Sequence, residues 1–298
     1  MGGTKLTRVV KIGAGCIEVS SSKSANLAAI ELCVREAASQ GVKLLILPEC
    51  AVQGYPVGLG GADLDVYERQ LREAEPVPGP ATERLARLAA EHELELVVGL
   101  TERPTEPGSV GRLFNTAVFI GPDGVRARYR KVHTGGVEKC LWSRGADWTL
   151  VDSVAGKIGL LICYDLVFPE TTRRLALGGA QLLAMSTAWT ADTTPEGTFR
   201  EGYELFTRAR ALENQVLLVS ANLVGGEGPF YGHSRIVGPL GQVIAESEGP
   251  GIAVAELDVE TEVLRARSRG WFGQVFLSDR EPRAYEMLAQ AVPELSRQ

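Results

Sequence analysis

Histidine is scarce in this chain: His92, His133 and His233 are the only three in 298 residues, and none falls in HxxxH or HExxH spacing. So few imidazoles, so far apart, leave no helical zinc site to be read, and no metal is expected. Cysteine is nearly as sparse. Cys16, Cys33, Cys50, Cys140 and Cys163 are odd in number and form no CxxC. That excludes a zinc ribbon or a complete disulfide framework and fits a reducing compartment. Neither GxGxxG nor a GxxxxGK loop occurs, so no nucleotide cofactor is implied and none is expected. Basic runs are absent too, and 31 basic against 37 acidic residues give a net charge of −6, which argues against a nucleic-acid partner. Apolar stretches end within about eight residues, far short of the roughly 20 that span a membrane. The first eight residues lack the apolar core of a secretory signal, and Leu6 stands where a myristoylation pattern wants Ser or Thr. The expected location is the cytoplasm.

The chain is 45% hydrophobic, enough at this length to bury a large core. Short apolar runs alternate with amphipathic stretches. Strands are expected over Arg8–Val19, Val42–Leu47, Leu94–Leu100, Leu150–Val154, Lys157–Ile162, Gln181–Ser186, Val216–Ala221 and Ile252–Leu257. Helices are expected over Ser24–Ser39, Pro80–His92, Pro169–Gly178, about Gly202–Glu213, and from an N-cap at Asp258 through Arg267. Gly121-Pro-Asp-Gly124 and Gly238-Pro-Leu-Gly241 mark two hairpins, and the glycine-rich 54–61 and aperiodic 133–147 read as loops. No linker or repeat divides the chain. Units of strand, helix and strand followed by a hairpin recur in both halves, the pattern of a layered α/β domain with mixed sheets.

Three reactive side chains occupy comparable places. Glu49 directly follows an apolar strand, where a carboxylate is costly to bury without a partner. Lys131 ends a hairpin strand. Cys163 sits where Lys157–Ile162 turns toward a helix begun by Pro169, at the carboxyl edge of a sheet where α/β proteins place reactive groups. A lone cysteine there would ordinarily be a small buried hydrophobe. With the other two beside it, the chemistry is coherent: a thiolate to attack a carbonyl or nitrile carbon, a glutamate to carry the proton, and a lysine to lower the thiol pKa and hold the oxyanion.

The stretches Leu-Ile-Leu-Pro-Glu49-Cys-Ala-Val-Gln-Gly-Tyr, Tyr-Arg-Lys131-Val-His and Gly-Leu-Leu-Ile-Cys163-Tyr-Asp resemble the three signatures of the nitrilase, or carbon–nitrogen hydrolase, superfamily, in the right order. The resemblance covers about residues 8 to 260 and includes Ala209–Asn214 and Gly232–Gly241. It implies a four-layer αββα sandwich without a cofactor. It further implies Glu49 as general base and acid, Lys131 as oxyanion stabiliser, Cys163 as nucleophile and the Tyr164 backbone N–H as a second oxyanion donor. Glu138 matches the family's second glutamate, although Thr134-Gly-Gly-Val137 lacks the commoner aromatic before it. Trp142 and Trp189 are candidate pocket walls in the loops Thr134–Arg144 and Trp189–Phe199, with Gly54–Leu64 a third. His133 beside Lys131 invites a Cys–His pairing but matches a residue the family uses structurally. In carbamoylase relatives an arginine near Arg173 or Arg174 holds a substrate carboxylate.

Cys163-Tyr164-Asp165 and Phe168-Pro169-Glu170 resemble amidase and carbamoylase branches more than the Cys-Trp-Glu of true nitrilases. The implied reaction is hydrolysis of a small linear carboxamide to acid and ammonia through a thioester. An N-carbamoyl amine or amino-acid amidohydrolase is the alternative, a nitrilase the third, and a catalytically dead scaffold the reading outside enzymology. The hydrolase domain is expected over residues 1–264. Residues 265–298, with Trp271, Phe272 and Phe276, are expected at the interface of a homodimer or its multiple.

Overall fold

The computed structural model describes residues 8–57, 64–136, 138–192, 195 and 197–289. Two six-stranded mixed sheets form its centre. The first contains β1 (Val10–Cys16), β2 (Leu44–Ile46), β3 (Glu95–Glu102), β4 (Phe114–Gly121), β5 (Gly124–Arg130) and, joining from the far end of the chain, β14 (Gly251–Leu257), in the order β14-β1-β2-β3-β4-β5. The second contains β6 (Leu150–Ser153), β7 (Gly156–Ile162), β8 (Leu182–Thr187), β9 (Leu217–Asn222), β12 (Ser234–Val237) and β13 (Val243–Ser247), in the order β13-β12-β9-β8-β7-β6. Each sheet has a parallel centre, β1–β2–β3 and β7–β8–β9, with antiparallel hairpins outside it. A short ribbon of β10 (Val224–Gly225) and β11 (Phe230–Tyr231) lies apart from both.

Strand alternation turns this into four layers. In β2, Leu44 and Ile46 face the second sheet while Leu45 packs under helices α1 (Lys23–Ser39) and α3 (Pro80–His92). In β7, Ile158, Leu160 and Ile162 enter the same inter-sheet core, whereas Leu161 turns outward to α5 (Pro169–Leu177) and α6 (Phe199–Asn214). Both faces of the central strands are therefore apolar, which is why they read as continuous hydrophobic runs. The fold is the αββα sandwich that the motifs implied.

Several elements departed from the sequence reading. Helix α2 (Leu64–Glu73) was not anticipated, because it lacks a broad apolar stripe: its buried anchor is Gln70, which donates to the Gly54 carbonyl and accepts from Thr101 Oγ1 at 2.8 and 2.6 Å. Region 133–147, read as loop, holds one helical turn, α4 (Glu138–Leu141). Helix α6 begins at Phe199 rather than 202, since the carboxylate of Asp192 accepts from the Phe199 and Arg200 amides. Asp258 caps the last helix, α7, by accepting from Thr261 N at 3.0 Å, but α7 runs Val259–Arg269. Residue 264, where the hydrolase domain is expected to end, lies inside this helix between the buried Val263 and Ala266. Among the described residues no helix is long and apolar enough to cross a membrane.

Candidate active site

The carboxyl ends of β2 in the first sheet and β8 in the second abut, and the site forms at this seam. Ser186 Oγ donates to the Leu47 carbonyl at 2.8 Å, tying the two strand ends together. Beyond Leu47 the chain turns through Pro48 and Glu49 against β3. This close approach requires Gly99: a Cβ there would lie 2.5 Å from the Pro48 oxygen and 2.6 Å from Glu49 Cα. A glycine inside a strand marks such a contact.

Glu49 is completely buried, and every oxygen of its carboxylate is engaged. Oε1 accepts from Lys131 Nζ at 2.7 Å and Asn115 Nδ2 at 2.6 Å, while Oε2 accepts from the Ala188 amide at 2.9 Å. Lys131, 1% exposed, follows β5, with its amide held by the Asn115 carbonyl at 2.8 Å. Its ammonium also donates to Glu138 Oε1 at 2.8 Å. Two of its three hydrogens are thus directed to carboxylates, leaving the third for the cavity. Glu138 opens α4 and is fixed in turn: Oε1 accepts from Tyr55 Oη and Oε2 from the Gly135 amide, both at 2.8 Å. Cys163 begins a 3-10 turn after β7 with φ of 45°, a left-handed conformation that bends the chain sharply and presents the thiol to the cavity. These four side chains come together as the motif order implied.

Burial dominates their electrostatics. It pushes Glu49 above the usual carboxylate range, with Lys131 opposing. Burial alone would lower Lys131, yet Glu138 and Glu49 overcome it and hold the ammonium above its ordinary value. The thiol of Cys163 is pushed up by desolvation first and by the charge of Glu49 second. The lysine acts on the thiol in the expected direction, but burial and Glu49 outweigh it. Its charge is already shared between two carboxylates.

The thiol opens on a cavity of about 240 Å³ lined by Tyr55, Lys131, Glu138, Tyr164, Trp189 and Phe199, together with Gly135, Gly136, Ala188 and Thr190. Trp189 is rigidly placed, its indole donating to the Phe199 carbonyl at 2.7 Å and its amide to Asn222 Oδ1 at 2.7 Å. Trp142 does not line the cavity. It packs behind Tyr55, with ring centroids 5.9 Å apart, in a small core with Cys50, Ala74 and Leu113, because α4 turns its indole inward. Parts of the three loops named as pocket walls, residues 58–63, 137, 193, 194 and 196, lie outside the described residues.

His133 is turned to a different task from thiol chemistry. Its Nδ1 lies 2.8 Å from Asp165 Oδ1, and its ring stacks on Phe168 at 3.9 Å. The buried Asp165 also accepts from Tyr129 Oη and from the Ile162 amide at 2.8 and 3.0 Å, so it braces the turn that carries Cys163. Arg173 and Arg174 are not among the cavity residues. Arg173 faces the α6 side, near Glu213 and Arg210, and burial there lowers its pKa. Glu204, His233 and Glu246 converge elsewhere in a metal-like geometry, but the guanidinium of Arg235 pairs with both carboxylates and takes the place of a cation.

Sequence reading missed Tyr55, Asn115 and Asp165. The Tyr-containing Glu49 motif and the Cys-Tyr-Asp motif contained two of them. Asn115 carried no signal beyond being a polar residue within an apolar strand, Phe114–Gly121.

Fold and site together define an αββα sandwich that gathers a cysteine, a lysine and two glutamates at the seam of its sheets. The chain matches the carbon–nitrogen hydrolase family over residues 8–266 and belongs to it. It is 33% identical over 261 residues to the human omega-amidase NIT2, covering 83% of this chain and 87% of the relative. Nit3 of Saccharomyces cerevisiae, a nitrilase-superfamily member, superposes with a TM-score of 0.75 at 28% identity, covering 90% of this chain and 96% of that one. A Glu-to-Gln mutant of the amidase from Nesterenkonia sp. AN1, solved with the acetamide moiety of fluoroacetamide added covalently at its active-site cysteine, gives 0.72 at 26% identity, covering 96% and 98%. The chain is accordingly a carbon–nitrogen hydrolase of amidase type.

Proposed function

We propose that the protein hydrolyses small primary carboxamides to the acid and ammonia through a thioester on Cys163. The observation that carries this reading is the shared Lys131 ammonium, hydrogen-bonded to both Glu49 and Glu138 beside the thiol. A neutral thiol needs a base at the moment of attack, and Glu49, with its raised proton affinity, is suited to that task. Sγ bonds to the amide carbon as its proton passes to Glu49. The third Lys131 hydrogen and the Tyr164 amide hold the oxyanion. The C–N bond breaks as Glu49 returns the proton to the nitrogen, releasing ammonia. Water, deprotonated by Glu49, then attacks the thioester, and the acid leaves with the thiol restored. Glu138 touches neither bond and acts by positioning Lys131. The covalent cysteine adduct of the Nesterenkonia amidase supports the nucleophile. Trp189 and Tyr164 form the cavity wall against the substrate.

The alternative, an N-carbamoyl amino-acid amidohydrolase, loses support from the placement of Arg173 and Arg174 outside the cavity. Ammonia release measured across carboxamides, carbamoyl amines and nitriles tests the reading. Carboxamides are expected to turn over fastest; a nitrile or carbamoyl compound leading the panel would overturn it. Five unpaired cysteines support a cytoplasmic site of action.

Assembly is part of the same reading: a homodimer built in part by the segment after α7. Trp271 and Phe272 are 54% and 101% exposed, and Gly270 abuts Leu240, itself exposed beside Leu205 along α6. Contiguous apolar surface of this kind marks an interface. Phe276 plays a smaller part than its type suggested, since its ring packs on Trp271 and its amide donates to Gln215 Oε1 at 3.0 Å. Replacing Trp271 and Phe272 together by serine is expected to halve the mass seen by light scattering. A monomeric parent, or a variant that stays dimeric, would rule this interface out.

A further inference from the structure

Resting on the amidase reading, we infer that the acyl group this site accepts is short, apolar and free of any carboxylate, so that neither dicarboxylic monoamides nor N-carbamoyl amino acids are its substrates. The cavity encloses about 240 Å³, below the roughly 300–1,000 Å³ of sites for drug-sized ligands. Beyond the reacting groups, the largest side chains around it are the rings of Tyr55, Tyr164, Trp189 and Phe199. Among the described lining residues the only cation is Lys131. Its ammonium is already bound by two carboxylates, at 2.7 and 2.8 Å, and in the proposed reaction its remaining hydrogen is taken by the oxyanion.

Most of the polar groups that could serve a remote carboxylate are taken as well, and the Thr190 and Tyr164 hydroxyls, also on the wall, carry no charge. Tyr55 Oη donates to Glu138, the Gly135 amide donates to Glu138, the Ala188 amide donates to Glu49 and the Trp189 indole donates to Phe199. The two glutamates against one ammonium also give the floor of the cavity a surplus of negative charge. A second carboxylate would therefore lose its hydration, gain no cation and meet like charge. That combination is the expensive case of charge burial.

The sequence around the cavity is consistent with this. Segments 54–57, 163–168, 189–192 and 197–199 contain no lysine, arginine or histidine, and 134–136 with 138–143 contain only Lys139. Lys139 is exposed on α4 and is not a lining residue. Arg144, next in the chain, lines a separate cleft with Arg112, Arg128 and Arg130. Arg200, which follows Phe199, lies over the Tyr231 ring and lines the groove along α6 instead.

The test compares butyramide and hexanamide with the monoamides of succinic and glutaric acid, each with the full-length protein and with Cys163→Ala as the blank. The neutral amides are expected to exceed the anionic ones in kcat/KM by at least about 10²-fold, the scale on which an unpaired buried charge is rejected. Thr190→Lys, which adds a cation to the cavity wall, is expected to narrow that gap at least about tenfold by raising the anionic rate. Equal or faster hydrolysis of the anionic amides would overturn the inference while leaving the amidase reading intact. A gap that Thr190→Lys does not narrow would remove electrostatics as its cause and overturn the inference too. No ammonia from any amide above the Cys163→Ala blank would overturn the amidase reading, and this inference with it.

Discussion

Cys163→Ala is expected to lower ammonia release by at least about 10⁴-fold, the scale of losing a covalent nucleophile, while leaving the thermal transition within a few degrees of the parent. The asymmetry follows from the position. Cys163 is only half-buried, at the floor of a cavity, and packs against the edge of two core clusters without being a buried member of either. Its backbone φ of 45° is held from outside the side chain, by Asp165 on the Ile162 amide and by the continuation into the 3-10 turn. Removing the sulfur therefore deletes chemistry and little packing. Cys140 is exposed on α4, whereas burial keeps the Cys163 thiol protonated near neutral pH, so Cys140 is the faster target for an unguided alkylating agent. In a Cys140→Ser background, fluoroacetamide, which presents the amide group itself, is expected to modify Cys163 selectively and to be blocked by a substrate amide. Retained turnover in Cys163→Ala would remove the cysteine from the mechanism altogether.

Glu49 and Cys163 were legible because each stands at the end of an apolar run, and a polar residue in that place has to be explained. Reading β2 and β7 as buried strands located both strand ends without any structure. That the two ends meet was not legible from either run alone. It depends on the sheets packing face to face through Ile46, Ile162 and Ala184, and on Ser186 reaching the Leu47 carbonyl 139 positions away in sequence. The resemblance to the family supplied that step. Asn115 illustrates the remaining gap. It stands beside Thr116 at the start of β4 and its own type is common in hairpins, so only the completed sheet shows it donating to Glu49 while its carbonyl holds the Lys131 amide. Helix α2 failed for a related reason: Gln70 secures it through two buried hydrogen bonds that no hydrophobic period reports.

The lysine was expected to serve the thiol, and the structure gives it a second task that is testable by stability. Lys131→Met keeps the length of the side chain but removes the charge shared by Glu49 and Glu138. Beyond a loss of at least about 10²-fold in kcat, as for a missing oxyanion donor, the variant should be destabilised by about 3–5 kcal/mol near neutral pH, because two carboxylates are left buried without their cation. In a chain of this size that corresponds to roughly 5–8 °C in Tm. The pH dependence carries the sign. Burial already raises the folded-state pKa of Glu49, and losing Lys131 removes the main influence holding it down. A carboxyl whose folded pKa lies above its unfolded value near 4.3 binds more protons when folded. Its contribution is then least unfavourable at low pH, where both states are protonated, and stability is lost as pH rises from the unfolded value toward the raised one. The difference in Tm between parent and variant should accordingly be smallest near pH 5 and widen toward pH 8 in calorimetry at fixed ionic strength. Glu49→Gln combined with Lys131→Met should recover part of the loss at pH 8, since one uncompensated charge is gone, yet recover no activity. A Tm difference independent of pH would mean that Lys131 stabilises the fold by packing alone and that the two carboxylates do not depend on it for their charge.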